Sequence, residues 1–254
     1  MSNLIRSEWF KLMRNRTFWL LLAVLSAFAV MLGLADYFDD RNSAEALHLQ
    51  GVDQLASAMG FNMYAIKIGL GIFAGFFISS EYSTGTMKRS VSSGHNRGRI
   101  ILAKMAVFIA GSVLVALAYP VVSLLLGSLL TGVGSLPDLS AAEYIVRSLG
   151  LTITLSAAFA AITALIAVCF NDSGKTIGFS IVLFFVIDAA FEMIGRRVPF
   201  VKTFYEYTVL SEIMHYAEPT LTSREVLTSV LISAATVAVF LLLGIRAFRR
   251  KEIK

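Results

Sequence analysis

The sequence predicts an all-α integral membrane protein with six transmembrane helices in a single domain, 1–254. Hydrophobic residues make up 57% of the chain and charged residues only 15%, whereas about a quarter of an ordinary soluble domain is charged. An α-helix rises ~1.5 Å per residue, so about 20 mostly apolar residues cross a bilayer core of ~30 Å. Stretches of suitable length and composition occur at 17–35, 61–79, 105–133, 149–170, 176–191 and 226–245.

The basic segment 1–16 is predicted to lie in the membrane interface as an amphipathic helix before the first span. One helical face carries Ile5, Trp9, Leu12 and Met13, and the other carries Ser7, Lys11, Arg14 and Asn15. A cleavable signal peptide is the competing interpretation, because residues 27–29 fit a cleavage site with alanine on both sides. The apolar run continues to Ala35, which favours an uncleaved anchor.

Lysine and arginine are concentrated in segments that six spans place on one side of the membrane. They occur in 1–16, in 88–104, at Lys175 and in a tail with Arg246, Arg249, Arg250, Lys251 and Lys254. The other side carries Asp36, Asp39, Asp40, Glu45, Asp53, Asp138, Glu143 and the mixed segment 192–225. Positive charge is enriched in cytoplasmic loops, so both termini are predicted to be cytoplasmic, in the cell membrane. The net charge of +5 reflects this anchoring and gives no reason to invoke nucleic acid.

No pattern of catalytic or metal-binding residues is found in the sequence. Residues 171–176 end like a phosphate-binding loop, but Cys169 stands where that loop requires glycine, and no strand precedes it. Cys169 is the single cysteine, so no disulfide forms within the chain, and it is expected to pack inside the fourth span. The three histidines lie far apart in sequence. The chain is therefore predicted to be no enzyme and to bind no cofactor or metal.

The loop between the second and third spans, 80–104, is the most informative segment. It combines a carboxylate with hydroxyl residues, glycine and clustered basic residues. A solvated connector on the positive side of the membrane would have the same composition. The residues that carry more information are Glu81, Gly85, Thr86, Lys88, Arg89, Ser93, Arg97 and Lys104.

In this order and spacing, these residues resemble the first cytoplasmic loop of small ABC-2 type transporter permeases. In that family a carboxylate, Gly-Thr and a short basic, hydroxyl-rich helix precede arginine and lysine at the next span. Residues 8–19 are similar to the family's amphipathic N-terminal helix, and six spans extend the resemblance over the whole chain. Permeases that confer immunity to antimicrobial peptides such as bacitracin or lantibiotics are among those it resembles.

The resemblance implies the membrane subunit of an ATP-driven exporter of amphiphilic peptides, drugs or lipid-like molecules. The chain would pair with a second copy or a related permease, and separate ATPase subunits would bind ATP and magnesium. A coupling helix at about 83–89 would dock in the ATPase, with Glu81 holding the loop to Arg14 or Arg16 and Gly85 supplying a turn or a close approach. The residues implied are Glu81, Ser83, Thr84, Gly85, Thr86, Lys88, Arg89 and Arg97, with Trp9, Lys11, Arg14 and Arg16 in the N-terminal helix.

Ionisable residues near the outer side of the membrane form a second candidate site, because charge inside a bilayer is costly and often functional. Lys67 either snorkels to the interface or lines an outer vestibule of the pathway. Asp188 and Glu192 lie four apart, share a helical face and are candidate partners for Lys67. The aromatic segment 192–225 is predicted to form outer interfacial helices, or the re-entrant helices that ABC-2 permeases have before the last span.

Two stripes of small residues are expected to serve close helix packing in lipid. They are Gly71, Gly75 and Ser79 in the second span, and Ser156, Ala160 and Ala164 in the fourth. Packing within the chain is favoured over a dimer seam. Two other functions stay open: an ion-coupled secondary transporter and a non-transport assembly or sensor subunit. Few central acids and no clear repeat between halves weigh against the first.

Overall fold

Six long helices dominate the computed structural model, which describes residues 1–42, 50–134, 139–218 and 220–251. Within these ranges, the helices long and apolar enough to cross a membrane are α2 (Arg16–Asn42), α3 (Gly51–Ala74, continued to Ser83), α6 (Arg97–Thr131), α7 (Ala141–Cys169), α8 (Ser173–Gly195) and α11 (Ser223–Arg250). The chain is therefore a multi-pass membrane protein. Glu45, Asp138 and Lys254, used above for orientation, lie outside the described residues.

The six helices divide into an inner and an outer set. α3, α6 and α7 are mostly buried and pack on one another, whereas α2, α8 and α11 present most of their apolar surface outward. α2 packs on α6 and α3, α8 on α3, and α11 on α7 and α6. The inner helices are enclosed by protein on most sides, and two of them carry the buried lysines, Lys67 on α3 and Lys104 on α6.

Small residues allow the inner helices to approach closely. A Cβ atom on Gly75 would lie 2.6 Å from Ile177 Cγ1, and one on Gly71 would lie 3.1 Å from Ser180 Cβ, so this stripe faces α8. In α7 the side chains of Ser156, Ala160 and Ala164 are fully buried. Both stripes therefore serve packing within the chain, the interpretation that the sequence favoured.

Five short helices complete the described part of the fold. α1 (Ser2–Met13) precedes the first span, and α3 continues through a π-helical turn, Gly75–Ser79, into α4 (Ser80–Ser83). α5 (Thr86–Ser92) follows α4, and α9 (Pro199–Glu206) and α10 (Val209–His215) lie between α8 and α11. We call the end of the bundle that carries α1, α4, α5 and Lys251 the basic end.

At the opposite end α10 is docked against the bundle, while α9 is largely exposed. Tyr216, at the end of α10, donates a hydrogen bond to the Met59 carbonyl at 3.0 Å and is buried. Tyr144 of α7 donates to the Ala217 carbonyl at 2.9 Å. Phe200 and Phe204 of α9 remain exposed. The aromatic segment thus forms two separate short helices, of which one is held by the inner helices.

Candidate functional site

Four charged side chains from three helices meet at the basic end. The Lys104 ammonium of α6 donates to Glu8 Oε2 of α1 at 2.6 Å and lies 2.9 Å from Glu81 Oε1 of α4. The Lys11 ammonium donates to Glu8 Oε1 at 2.6 Å and to Glu81 Oε1 at 3.0 Å. We call Glu8, Lys11, Glu81 and Lys104 the ion cluster. It joins the N-terminal helix, the third span and the start of the loop between the second and third spans, which the structure ends at residue 96 because α6 begins at Arg97 and which we call the 80–96 loop.

Three members of the ion cluster, Glu8, Glu81 and Lys104, are almost entirely buried, whereas the Lys11 side chain is 33% exposed, so the three buried charges need partners inside the cluster. The exposed fraction of the Lys104 side chain is 1%, and that of Glu8 is 7%. Burial raises the pKa of Glu8, but the Lys104 and Lys11 ammoniums outweigh that effect, and the pKa falls below its ordinary 4.5. Burial likewise lowers the pKa of Lys11, but Glu81 and Glu8 outweigh it and raise the pKa above 10.5. Removing one partner would leave a buried charge uncompensated.

The partners of Glu81 differ from the expected ones. Glu81 pairs with Lys11 and Lys104, and the expected pairing with Arg14 or Arg16 is wrong. Arg14 instead lies over the Phe10 ring, with its guanidinium carbon 4.2 Å from the ring centroid. The flexible side chain of Lys104 reaches the Glu81 carboxylate from inside the bundle, whereas Arg14 follows the end of α1 and lies over Phe10.

Glu8 and Lys104 were not among the predicted site residues, although Lys104 was part of the family pattern. A glutamate in a basic amphipathic helix and a lysine at the start of a span are the signals that could have pointed to them. Their pairing spans 96 positions of the chain, so no local pattern indicates it.

The N-terminal helix packs on the protein with residues from both of its predicted faces, Leu12 of the apolar face and Lys11 of the polar face. Glu8 and Leu12 are the buried residues of α1, and a Cβ atom on Gly111 of α6 would lie 2.9 Å from Leu12 Cδ1. Ile5 and Trp9 are exposed. The side of α1 with Glu8 and part of Lys11 therefore faces the protein, because the ion cluster supplies charged partners there. Ile5 and Trp9 of the predicted apolar face are left free for the membrane interface, whereas Leu12 of the same face packs on α6.

The coupling helix expected at 83–89 is displaced by three residues and divided by a turn. Ser83 belongs to α4, and α5 begins at Thr86. Gly85 between them has a left-handed backbone, with φ of 70°, and nothing lies within 4 Å of a Cβ atom built there. Gly85 therefore supplies a turn rather than a close approach.

α5 is fixed to the bundle by one buried side chain and presents a basic surface outward. Met87 is fully buried in the main apolar core. Lys88 and Arg89 of α5 and Arg99 at the start of α6 are exposed, and they make no ion pair with any described residue. Ser83 and Thr84 are also exposed, and their hydroxyls donate to the Ser80 carbonyl at 2.9 Å. A cavity of about 320 Å³ separates α1 from α5 and is lined by residues such as Ser7, Lys11, Arg89 and Ser93.

The π-helical turn before α4 is bonded to the start of α8. The Ser79 and Thr176 hydroxyls are 2.6 Å apart, and Ser79 also donates to the Ala167 carbonyl at 3.2 Å. Ser173 donates to the Gly75 carbonyl at 2.8 Å. These bonds hold the helix where it leads into the 80–96 loop. π-helical turns inside α-helices are frequent at functional sites.

The second candidate site holds a buried ion pair. Lys67 of α3 pairs with Asp188 of α8, and Tyr205 of α9 donates to Asp188 Oδ1 at 3.1 Å. The Lys67 side chain is 2% exposed, so the snorkelling interpretation is wrong. Glu192 does not join the pair, because it is exposed and accepts from Arg196 at 2.6 Å. Asp188 and Glu192 were both expected to be partners of Lys67, but Asp188 pairs with it and Glu192 pairs with Arg196 instead.

Residues 4–188 of the chain match the family model described as ABC-2 family transporter protein. No curated protein matches the chain. The matched range contains the ion cluster, the π-helical turn, α4 and α5. The helices α9, α10 and α11 lie beyond it.

Proposed function

Because the chain belongs to the ABC-2 family of transporter proteins, we propose that it is the permease subunit of an ATP-binding-cassette exporter. Separate ATPase subunits bind ATP and magnesium and supply the energy, and this chain binds neither. The observation that carries the proposal is the ion cluster, which ties the loop expected to meet the ATPase to two other helices.

Transmission of force requires that the loop moves with the spans instead of bending alone. Glu81 is bonded to α1 through Lys11 and to α6 through Lys104, and the contact with Lys104 is shielded from water. On the other side, Ser79 is bonded to α8 through Thr176. A push on α5 thus reaches α1, α6 and α8 through short polar contacts, while Met87 holds α5 on the core.

The exposed basic surface of α5 indicates the chemistry of the partner. Lys88 and Arg89 of α5, together with Arg99 at the start of α6, face outward at the end of the bundle with the higher positive charge. The positive-inside rule places that end in the cytoplasm, where ATP is available. The matching surface on the ATPase is an acidic groove wide enough for the two turns of α5.

The substrate is an amphiphilic molecule: an antimicrobial peptide, a drug or a lipid-like compound. Outer helices with largely apolar exposed faces support this class, as does the small number of enclosed charges. The functional unit is a homodimer or a pair with a related permease in the cell membrane, with both termini in the cytoplasm. Lys67 and Asp188 would then lie near the outer vestibule.

Co-purification from the native host tests the proposal. The protein is solubilised in nanodiscs, bound chains are identified, and ATP hydrolysis is measured for Glu81→Ala and Gly85→Trp. Gly94→Trp is the matched control, because Gly94 has a φ of 81° and open space around it but follows α5. We expect an ATPase in the wild-type complex that is lost or uncoupled in the first two variants and retained in the control. Purification without any ATPase would contradict the proposal.

An ion-coupled secondary transporter is the second candidate, favoured by the buried Lys67–Asp188 pair. Intramembrane acids paired with lysine are a feature of proton-coupled transport. Proteoliposomes that hold the chain alone distinguish the two functions. Uptake or release driven by an imposed proton gradient without ATPase would favour the secondary transporter, and its absence would favour the exporter.

A further inference from the structure

Lys251, the last residue that the structure describes, caps the C-terminus of α7, which lies far from it in the sequence. Its ammonium donates to the carbonyl oxygens of Val168, Cys169 and Phe170 at the C-terminus of α7, the latter two at 3.2 and 3.5 Å. The last carbonyls of an α-helix have no partner inside the helix and carry a partial negative charge. A lysine from another helix is therefore a fitting cap.

The same ammonium also contacts the 80–96 loop. Lys251 Nζ lies 4.1 Å from the centroid of the Tyr82 ring, a cation–π contact. The Arg97 guanidinium at the start of α6 donates to the Lys251 carbonyl at 3.1 Å. Lys251 thereby joins four elements: the end of α11, the end of α7, α4 and the start of α6.

Lys251 is half-buried, and its environment fits a fixed role. Burial lowers the pKa of the Lys251 ammonium below its ordinary 10.5, and the nearby Cys169 sulfur opposes this change. The neighbouring Arg249 and Arg250 are exposed, so the chain turns one of its basic tail residues inward. A tail that only marked the positive side of the membrane would leave all of them outside.

We propose that Lys251 is a positioning residue that locks the last span to the coupling loop, so that ATPase closure moves α11 together with α7. The inference rests on the proposed function. It adds to it a contact from a residue beyond the matched range 4–188, and it explains how the last span follows the loop. The ion cluster connects the loop to α1 and α6, and Lys251 connects the loop to α7 and α11.

Cys169 reports on this contact without any engineering, because it is the single cysteine, is exposed and offers its carbonyl to Lys251. The rate at which a maleimide modifies it is measured in the complex with its ATPase, without nucleotide and after trapping with ATP and vanadate. The variants are Lys251→Met, the conservative Lys251→Arg, and Arg250→Met as the control for loss of a tail charge.

In the wild type we expect the two states to give different rates. Lys251→Met should raise the rate without nucleotide about 2- to 5-fold, the factor that corresponds to the loss of a cation at a helix C-terminus. It should also bring the ratio between the two states close to one, while the ATPase stays bound and active. Lys251→Arg should restore the ratio, and Arg250→Met should leave it unchanged.

A purely structural cap would give a different result. Lys251→Met would then change both rates equally and leave their ratio as in the wild type, which overturns the proposal. A wild-type ratio of one also overturns it, because no motion would reach the tail. If no ATPase accompanies the permease at all, the proposed function fails and the inference fails with it.

Discussion

The ion cluster makes single charges decisive for the stability of the basic end. Lys104→Met would leave Glu8 and Glu81 buried with Lys11 as their shared partner. Breaking a buried ion pair from one side costs about 3–5 kcal/mol. We expect a clear loss in the melting temperature of the nanodisc-embedded protein for this variant.

The variant Lys175→Met is the matched control that separates the loss of a buried ion pair from the loss of a positive charge. Lys175 is exposed at the same end and forms no ion pair within the described part of the chain, so Lys175→Met should change stability by less than about 0.5 kcal/mol. If Lys104→Met is too unstable to purify, the double variant Glu8→Gln, Lys104→Met should recover part of the loss. Equal melting temperatures for Lys104→Met and Lys175→Met would contradict the role of the cluster.

Acid should release the N-terminal helix. The pKa of Glu8 is lower in the folded protein than its ordinary 4.5. The folded state therefore binds fewer protons than the unfolded state, and the contribution of Glu8 is lost as the pH falls below about 4.5 through the lowered pKa. Trp9 and Trp19, the two tryptophans of the chain, flank this region, so their fluorescence should change in that window. An identical transition in Glu8→Gln would contradict the assignment.

The Lys67–Asp188 pair should be worth more to stability than the exposed Glu192–Arg196 pair one turn away. Lys67→Met leaves Asp188 with Tyr205 as its remaining partner, so we expect a loss of about 3–5 kcal/mol. Glu192→Gln, whose side chain is 68% exposed, should cost under about 1 kcal/mol. Thermal unfolding of both variants and of Lys67→Met, Asp188→Asn tests this. Additive losses in the double variant would mean that the two residues do not depend on each other.

Among the helices, α5 owes its direction to the left-handed turn at Gly85. A Cβ atom in that conformation costs about 1–2 kcal/mol, and no contact offsets it in the open space around Gly85. Gly85→Ala should therefore tilt α5 away from Glu81 and lower ATP hydrolysis by the complex. Gly85→Asn should be milder, because asparagine tolerates this conformation. Gly94→Ala carries the same strain beyond α5, so equal loss of hydrolysis there would contradict the role of the turn.

The six spans could be predicted from length and hydropathy, because a helix in lipid must satisfy its own backbone and be apolar throughout. The π-helical turn at Gly75–Ser79 could not, since its partners Ser173 and Thr176 lie almost one hundred positions away. The same limit applies to the face of α1. The helical pattern indicated no partner for Glu8, whereas Glu8 binds Lys104 inside the bundle.

The candidate site was predictable in its location and less so in its contacts. The motif around Glu81 and Gly85 marked the correct loop, but the helix bounds and the pairing partners depended on tertiary structure. Cys169 is a second example: a small apolar residue at the end of a span was expected to be packed, and it is exposed. Its position in the last turn of α7, beside the docked tail, places it at the bundle surface.

For the molecule as a whole, the orientation of the bundle in the membrane determines whether the proposed roles of its parts are compatible. The basic end must face the cytoplasm if α5 is to meet an ATPase, and α9 must then face outward. Cys169 lies at the basic end, and Thr203 is exposed on α9 at the opposite end. A membrane-impermeant maleimide should modify Cys169 in inside-out vesicles and not in intact cells. In a Cys169→Ser, Thr203→Cys variant the pattern should be reversed.

These two labelling results together decide the topology, because a protein with mixed orientation would react from both sides at both positions. Modification of Cys169 in intact cells would place α5 and the ion cluster away from ATP, and the coupling role of Glu81 and Lys104 would fail with it. The reversed pattern at Thr203 would put the Lys67–Asp188 pair in the outer half of the bundle, since Tyr205 of the same helix binds Asp188. The arrangement would then match an exporter driven from its basic end.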